Sequence, residues 1–78
     1  MKRPKKSGQR RKALGLAIRR RREELGLSQE QLAERVDCHR NYVGLVERGA
    51  QNVTIDMLGR FAEALKCAVA DMMVSAGL

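Results

Sequence analysis

Apolar residues recur along most of this chain at a spacing close to 3.6, the period of a helix with one buried face. Leu14, Ala17, Ile18 and Leu25 follow it first. Leu32, Ala33 and Val36 come next, then Val43 and Val46, then Ile55, Leu58, Phe61, Ala62 and Leu65, and finally Val69, Met72 and Met73. No stretch alternates with the two-residue period of a strand. The punctuation agrees with five helices. Gly26 and Gly49 stand where helices end, and Ser28 with Gln31 three residues on forms a capping-box signature. Thr54 suits the N-cap of the fourth segment. The pattern predicts helices over residues 10–25, 29–36, 40–48, 55–66 and 69–75, an all-α class. Asp37 falls in the turn between the second and third, where it tolerates a left-handed backbone less well than Gly or Asn.

Ahead of residue 10 the pattern vanishes. Residues 1–9 include Pro4, Ser7 and Gly8 and almost nothing apolar. They are expected to form an arm, disordered when free, ahead of one domain spanning 10–78. Seventy-eight residues with one Tyr, one Phe and no Trp must build an aliphatic core. Such a domain is worth about 4–10 kcal/mol in total. A hydrophobic share of 44% argues against a wholly disordered chain. Apolar runs are too short for a transmembrane helix, and the basic N-terminus lacks the apolar stretch of a secretory signal. A cytoplasmic, nucleoid-associated protein is the expectation. Cys38 and Cys67 fit buried, reduced thiols, although one disulfide is compatible with their number. Cys38 and His39 with Cys67 lack the spacing of a zinc site, so neither metal nor cofactor is expected.

The charge changes the picture. The net charge is +7. Residues 1–22 hold eleven of the sixteen Lys and Arg and no acid, while the rest holds five bases and nine acids, a net of −4. A positive field gathered at one end suits a polyanionic partner, or else a solubility tail. Two short helices in sequence, beside that field, are the layout of a DNA-reading helix-turn-helix. Advancing 100° per residue from Val43 and Val46 places Asn41, Gly44, Leu45 and Arg48 on the face opposite the core side.

These residues resemble the phage-repressor/Cro-like helix-turn-helix family, often called the Xre family. The likeness covers about residues 14–73. It rests on Ile18-Arg19, Arg22, Gly26-Leu27-Ser28-Gln29-Glu30, Leu32-Ala33, Val36, Val43, Val46-Glu47-Arg48-Gly49, Asn52, Thr54-Ile55, Leu58 and Ala64-Leu65. The size, and Glu47-Arg48-Gly49 followed by Asn52, also resemble small restriction–modification controller proteins. The resemblance implies a five-helix phage-repressor-like fold, the third helix in the major groove of double-stranded DNA, and a symmetric dimer on a palindromic operator.

Site residues follow by position. Gln29, His39, Tyr42, Arg48 and Asn52 are expected at the duplex backbone, with Gln29 as a clamp at a helix N-terminus. Tyr42 has flanking the core as its alternative role. Arg40 and Asn41 fall where the family reads bases, suiting guanine and adenine respectively, with phosphate contact as the alternative. Leu45 is either a stray surface leucine or a partner for a thymine methyl. Gly44 weakens the helix by about 1 kcal/mol against Ala, which is either drift or room for close approach to DNA. The arm (Lys2, Arg3, Lys5, Lys6, Arg10, Arg11, Lys12) is expected in the minor groove or along phosphates. Arg22 and Glu47 sit where the family has a buried ion pair. Of Arg19 to Arg22, only Arg22 is expected to point inward. Asp37 stands where the family has Gly, and His39 where Ser or Thr caps the reading helix, so a strained turn and a weak cap are expected.

A sequence-specific transcriptional regulator is the resulting expectation. It would dimerise through the fourth and fifth helices, where Phe61, Val69, Met72 and Met73 offer apolar surface. The rivals are an antitoxin or adaptor whose main partner is a protein, and a non-specific nucleic-acid binder driven by the arm. One His, no clustered acids, no phosphate-binding glycine loop and no room for a small-molecule pocket leave no constellation for an enzyme.

Overall fold

A computed structural model describes residues 7–78. Five helices follow in order: α1 (Ser7–Glu24), α2 (Gln29–Val36), α3 (Arg40–Glu47), α4 (Ile55–Ala64) and α5 (Val69–Ser75). No strand occurs among the described residues. The ends are set by local chemistry. Ser28 Oγ accepts from the Gln31 amide at 3.0 Å, and the Gln31 side chain accepts from the Ser28 amide at 2.8 Å, completing the capping box. Thr54 caps α4 by accepting from the Met57 amide at 3.1 Å. Ala68 has no side-chain oxygen to cap α5, and the Asp71 carboxylate accepts from its amide at 3.0 Å instead.

After α3, Gly49 adopts φ 73, and the amides of Gly49 and Ala50 reach back to the carbonyls of Val46 and Leu45. That is a Schellman ending, which wants a residue without Cβ. Asp37 and Lys66 close α2 and α4 by the same bonds at φ 61 and 55, with full side chains. Asp37 therefore takes the left-handed turn the sequence suggested. Helices α3 and α4 stop one or two residues short of the periodic pattern because Arg48, Leu65 and Lys66 belong to these endings.

Helix α1 starts three residues earlier than the pattern predicted. Ser7, Gly8 and Gln9 are helical, and Arg10, Arg11 and Lys12 ride on α1 rather than on an arm. Lys2, Arg3, Lys5 and Lys6 lie outside the described residues.

Ile18, Leu32, Val36, Val43, Val46, Leu58, Phe61, Leu65 and Met72 form the core, with Ala33 and Ala62 filling between them. All five helices contribute to it, with α1 packing on α3 and α5, and α2 on α3 and α4. Phe61 is fully enclosed and Met72 nearly so, which corrects their placement on a dimer surface: both side chains are taken up in filling this protein's own small core. The large apolar residues on the outside are Ile55, Val74, Leu16 and Leu78. Val69 and Met73 are partly covered by the core.

Candidate nucleic-acid interface

The α2–turn–α3 unit builds a concave surface of about 330 Å³ lined by Gln29, Arg40, Asn41, Gly44, Leu45 and Arg48. Every residue that helix rotation put on the outer face of α3 is there, joined by Gln29 from the first turn of α2. The Ser28 cap takes the Gln31 amide, and nothing among the described residues takes the amides of Gln29 and Glu30. A helix N-terminus with free amides favours an anion. Arg40 lies 3.8 Å from Glu30, both well exposed, so the pair leaves the arginine available.

Behind the surface sits the ion pair. Arg22 Nε and Nη2 donate to the two oxygens of Glu47 at 2.6 and 3.0 Å, and Nη1 donates to the Leu27 carbonyl at 2.8 Å. The Glu47 side chain is 3% exposed and that of Arg22 12%. The hydrogen bonds to Glu47 outweigh burial and raise the Arg22 pKa above its usual value. Gln29 Nε2 donates to Glu47 Oε1 at 3.1 Å. An amide nitrogen carries two hydrogens, so the second remains for a ligand in front.

Residues 18–72 match the helix-turn-helix family designated HTH_3. The chain belongs to that family. It is 48% identical over 52 residues to the control protein C.SmaI of Serratia marcescens, covering 67% of this chain and 62% of that one. Its fold superposes on the clp gene regulator ClgR of Corynebacterium glutamicum with a TM-score of 0.85 and 34% identity, over 87% of this chain and 72% of that one. The restriction-modification controller C.Esp1396I, solved as a tetramer with its natural 35 base-pair operator, matches with a TM-score of 0.77 and 26% identity, over 86% and 92%. The stretch shared with C.SmaI thus spans about three fifths of that relative's length.

Within this family frame, several expectations need revision. His39 does cap α3: its Nδ1 accepts from the Asn41 amide at 3.1 Å, a role usually filled by a hydroxyl. The ring must then carry its proton on Nε2, pointing away from the helix. The Tyr42 ring stacks on Phe61, with centroids 6.3 Å apart, and lies against the core rather than in the concave surface. Burial, followed by the neighbouring Cys38, raises its phenol pKa. Asn52 is exposed, and its Oδ1 accepts from Arg11 Nη1 at 3.2 Å. Arg11 Nε also donates to the Gly49 carbonyl at 3.4 Å. Arg11 is thus pinned over the end of α3.

Arg21 is not simply solvated either. It donates to the Leu65 carbonyl at 2.9 Å and the Lys66 carbonyl at 3.3 Å, closing the end of α4. The residue that the sequence reading missed is Gly15. A Cβ there would collide with the Val46 carbonyl oxygen and lie 2.6 Å from that of Glu47. Its signal was a glycine inside a helical pattern, which weakens the helix and so invites a packing reason. Cys38 and Cys67 are unpaired and partly buried, and burial raises both thiol pKa values. No cluster of three metal-ligating side chains occurs among the described residues. No helix among them is long and apolar enough to cross a membrane.

Proposed function

We propose that this chain is a sequence-specific, double-stranded-DNA-binding transcriptional regulator of the restriction–modification controller type, acting in the cytoplasm. Helix α3 enters the major groove. Arg40, Asn41 and Leu45 face base edges, Gly44 lets the helix approach, and Gln29, His39 and Asn52 meet the backbone. The observation that carries this reading is the convergence of Gln29, Arg40, Asn41, Gly44, Leu45 and Arg48 on one concave surface. The His39 Nε2–H and the second Gln29 hydrogen supply donors at the rim, as phosphate contacts require. Arg10, Arg11 and Lys12 on α1 add positive field beside the end of α3. The protein works as a homodimer through α4 and α5, with Ile55, Val74 and Leu78 as the apolar residues available to a second copy.

Selection of binding sites from a random duplex library, at near-physiological salt, tests this. The expected result is a two-fold symmetric motif with half-site centres about one helical turn apart. Binding without an enriched motif, with a steep salt slope, would instead make the basic segment the main binder. No binding at all would favour the protein-partner reading.

A further inference from the structure

The sequence places Arg48 with Asn52 as a backbone contact after the reading helix. The structure puts its guanidinium elsewhere. Arg48 is the C-cap of α3, with φ −83 and ψ −4, and its side chain runs back along the helix. Its Nη1 lies 3.2 Å from the point where a Cβ on Gly44 would stand, and the Gln29 amide oxygen and nitrogen lie 3.9 and 4.0 Å from that point. Long helical side chains lean toward the N-terminus in this way. The lean brings the charged fork one turn inward, from the end of α3 to the middle of its outer face. There it shares the concave surface with Arg40, Asn41 and Leu45.

Two further observations bear on what such a fork meets. No carboxylate of the described residues pairs with Arg48. Its donors are therefore free for a planar, two-acceptor partner. Gly44, a poor helix former, is the residue whose missing Cβ leaves the guanidinium its room. Backbone phosphates lie at the ends and flanks of a reading helix, and base edges lie along its outward face.

We propose that Arg48 reads a guanine edge in the major groove from the space left open by Gly44. This deepens the DNA-binding reading above and rests on it. Arg48 is then a determinant of specificity, and Gly44 acts through it as a positioning residue. The recognised chemistry is the O6 and N7 acceptor pair of guanine, which matches the guanidinium fork.

The experiment repeats the library selection with the full chain, Arg48→Ala, Arg48→Lys and Gly44→Ala. Binding is then measured on the selected duplex and on duplexes changed one base pair at a time, over a salt series. Thermal midpoints check that each variant folds. In the expected result, Arg48→Ala loses the preference for one G·C pair per half-site and keeps the others. Affinity for the selected duplex falls roughly 5- to 150-fold, the range of one bidentate base contact. Arg48→Lys keeps the charge without the fork and loses most of the same preference. Gly44→Ala weakens that same position while its thermal midpoint stays level or rises. If Arg48→Ala fails to fold, the Gly44→Ala result decides alone. A uniform loss over all duplexes, with the salt slope falling by about one, makes Arg48 a phosphate contact and overturns the proposal. An unchanged preference in Gly44→Ala also overturns it. A wild-type protein that selects no motif overturns the DNA-binding reading as well, so the two failures are distinguishable.

Discussion

Arg22 holds both carboxylate oxygens of Glu47, at 2.6 and 3.0 Å, across 25 residues of sequence. The pair ties the last turn of α1 to the end of α3, and Gln29 adds the start of α2 through its 3.1 Å bond to the same carboxylate. One buried carboxylate thus sets the mutual placement of three helix ends around the concave surface.

Removing Glu47 strands the Arg22 charge in a nearly closed site. Glu47→Ala is expected to cost about 3–5 kcal/mol, enough to consume much of the stability of so small a domain. The double change Arg22→Met/Glu47→Leu should recover most of that cost, because two apolar side chains leave no unpaired charge. DNA affinity should not recover with it, since Gln29 loses its anchor. Urea unfolding and duplex titration of both variants test the two halves, and a double variant that is as unstable as the single one defeats the first.

Gly15→Ala places a methyl against the Val46 and Glu47 carbonyl oxygens, which are backbone atoms that cannot rotate aside. The intrinsic helix gain of about 1 kcal/mol is outweighed by forcing α1 off α3. A net loss of about 2 kcal/mol would lower the thermal midpoint by roughly 8–16 °C. A midpoint that rises would mean the helices separate at little cost.

Asp37 and Lys66 occupy left-handed positions that favour glycine. Asp37→Gly and Lys66→Gly each trade strain in the folded state against greater freedom in the unfolded chain. Both should stabilise, by about 0.5–1 kcal/mol, with Lys66→Gly gaining more because Lys lacks the short polar side chain that eases this geometry. Differential scanning calorimetry would show it, and a loss in both variants would mean that the side chains contribute more than the backbone strains.

Burial raises the pKa values of Cys38, Cys67 and Tyr42. Such groups hold their protons more tightly when folded. Their contribution to stability is complete below the unfolded-state values, about 8.5 for a thiol, and is lost as pH climbs through the folded ones. The thermal midpoint should therefore fall between about pH 8 and 10, and fall less steeply in Cys67→Ala. A slope identical to wild type in that variant would remove Cys67 from the account.

Val74 is 79% exposed on α5 and Ile55 77% exposed at the start of α4. Val74→Asp should leave the monomer fold intact, because the side chain touches little of its own core, while shifting sedimentation toward monomer and weakening operator binding. An unchanged sedimentation profile would move the dimer contact away from α5.

Much of this was legible beforehand because it depends on neighbours within four positions. Helix α2 has the predicted bounds, its capping box is complete, and α3 turns the predicted residues outward. The Arg22–Glu47 pair was legible from the family resemblance and not from periodicity. Local rules failed where a side chain answers to a distant partner. Arg21 read as solvated, yet it bonds the Leu65 carbonyl 44 residues away. His39 is a different case: its partner, the Asn41 amide, is two residues away, and it read as a poor cap because the rule counts hydroxyls and carboxylates rather than a ring nitrogen.

The five helices, their order and the face that α3 presents could be read from the chain, since helical period and end-capping are properties of a short stretch. Packing between elements is what makes Gly15 necessary, encloses Phe61 and Met72, turns Arg21 to the end of α4 and lays the Arg48 guanidinium over Gly44. Each of these depends on how closely two elements approach and on which side chain fills the space between them. Those distances arise only when helices remote in sequence are packed around one core.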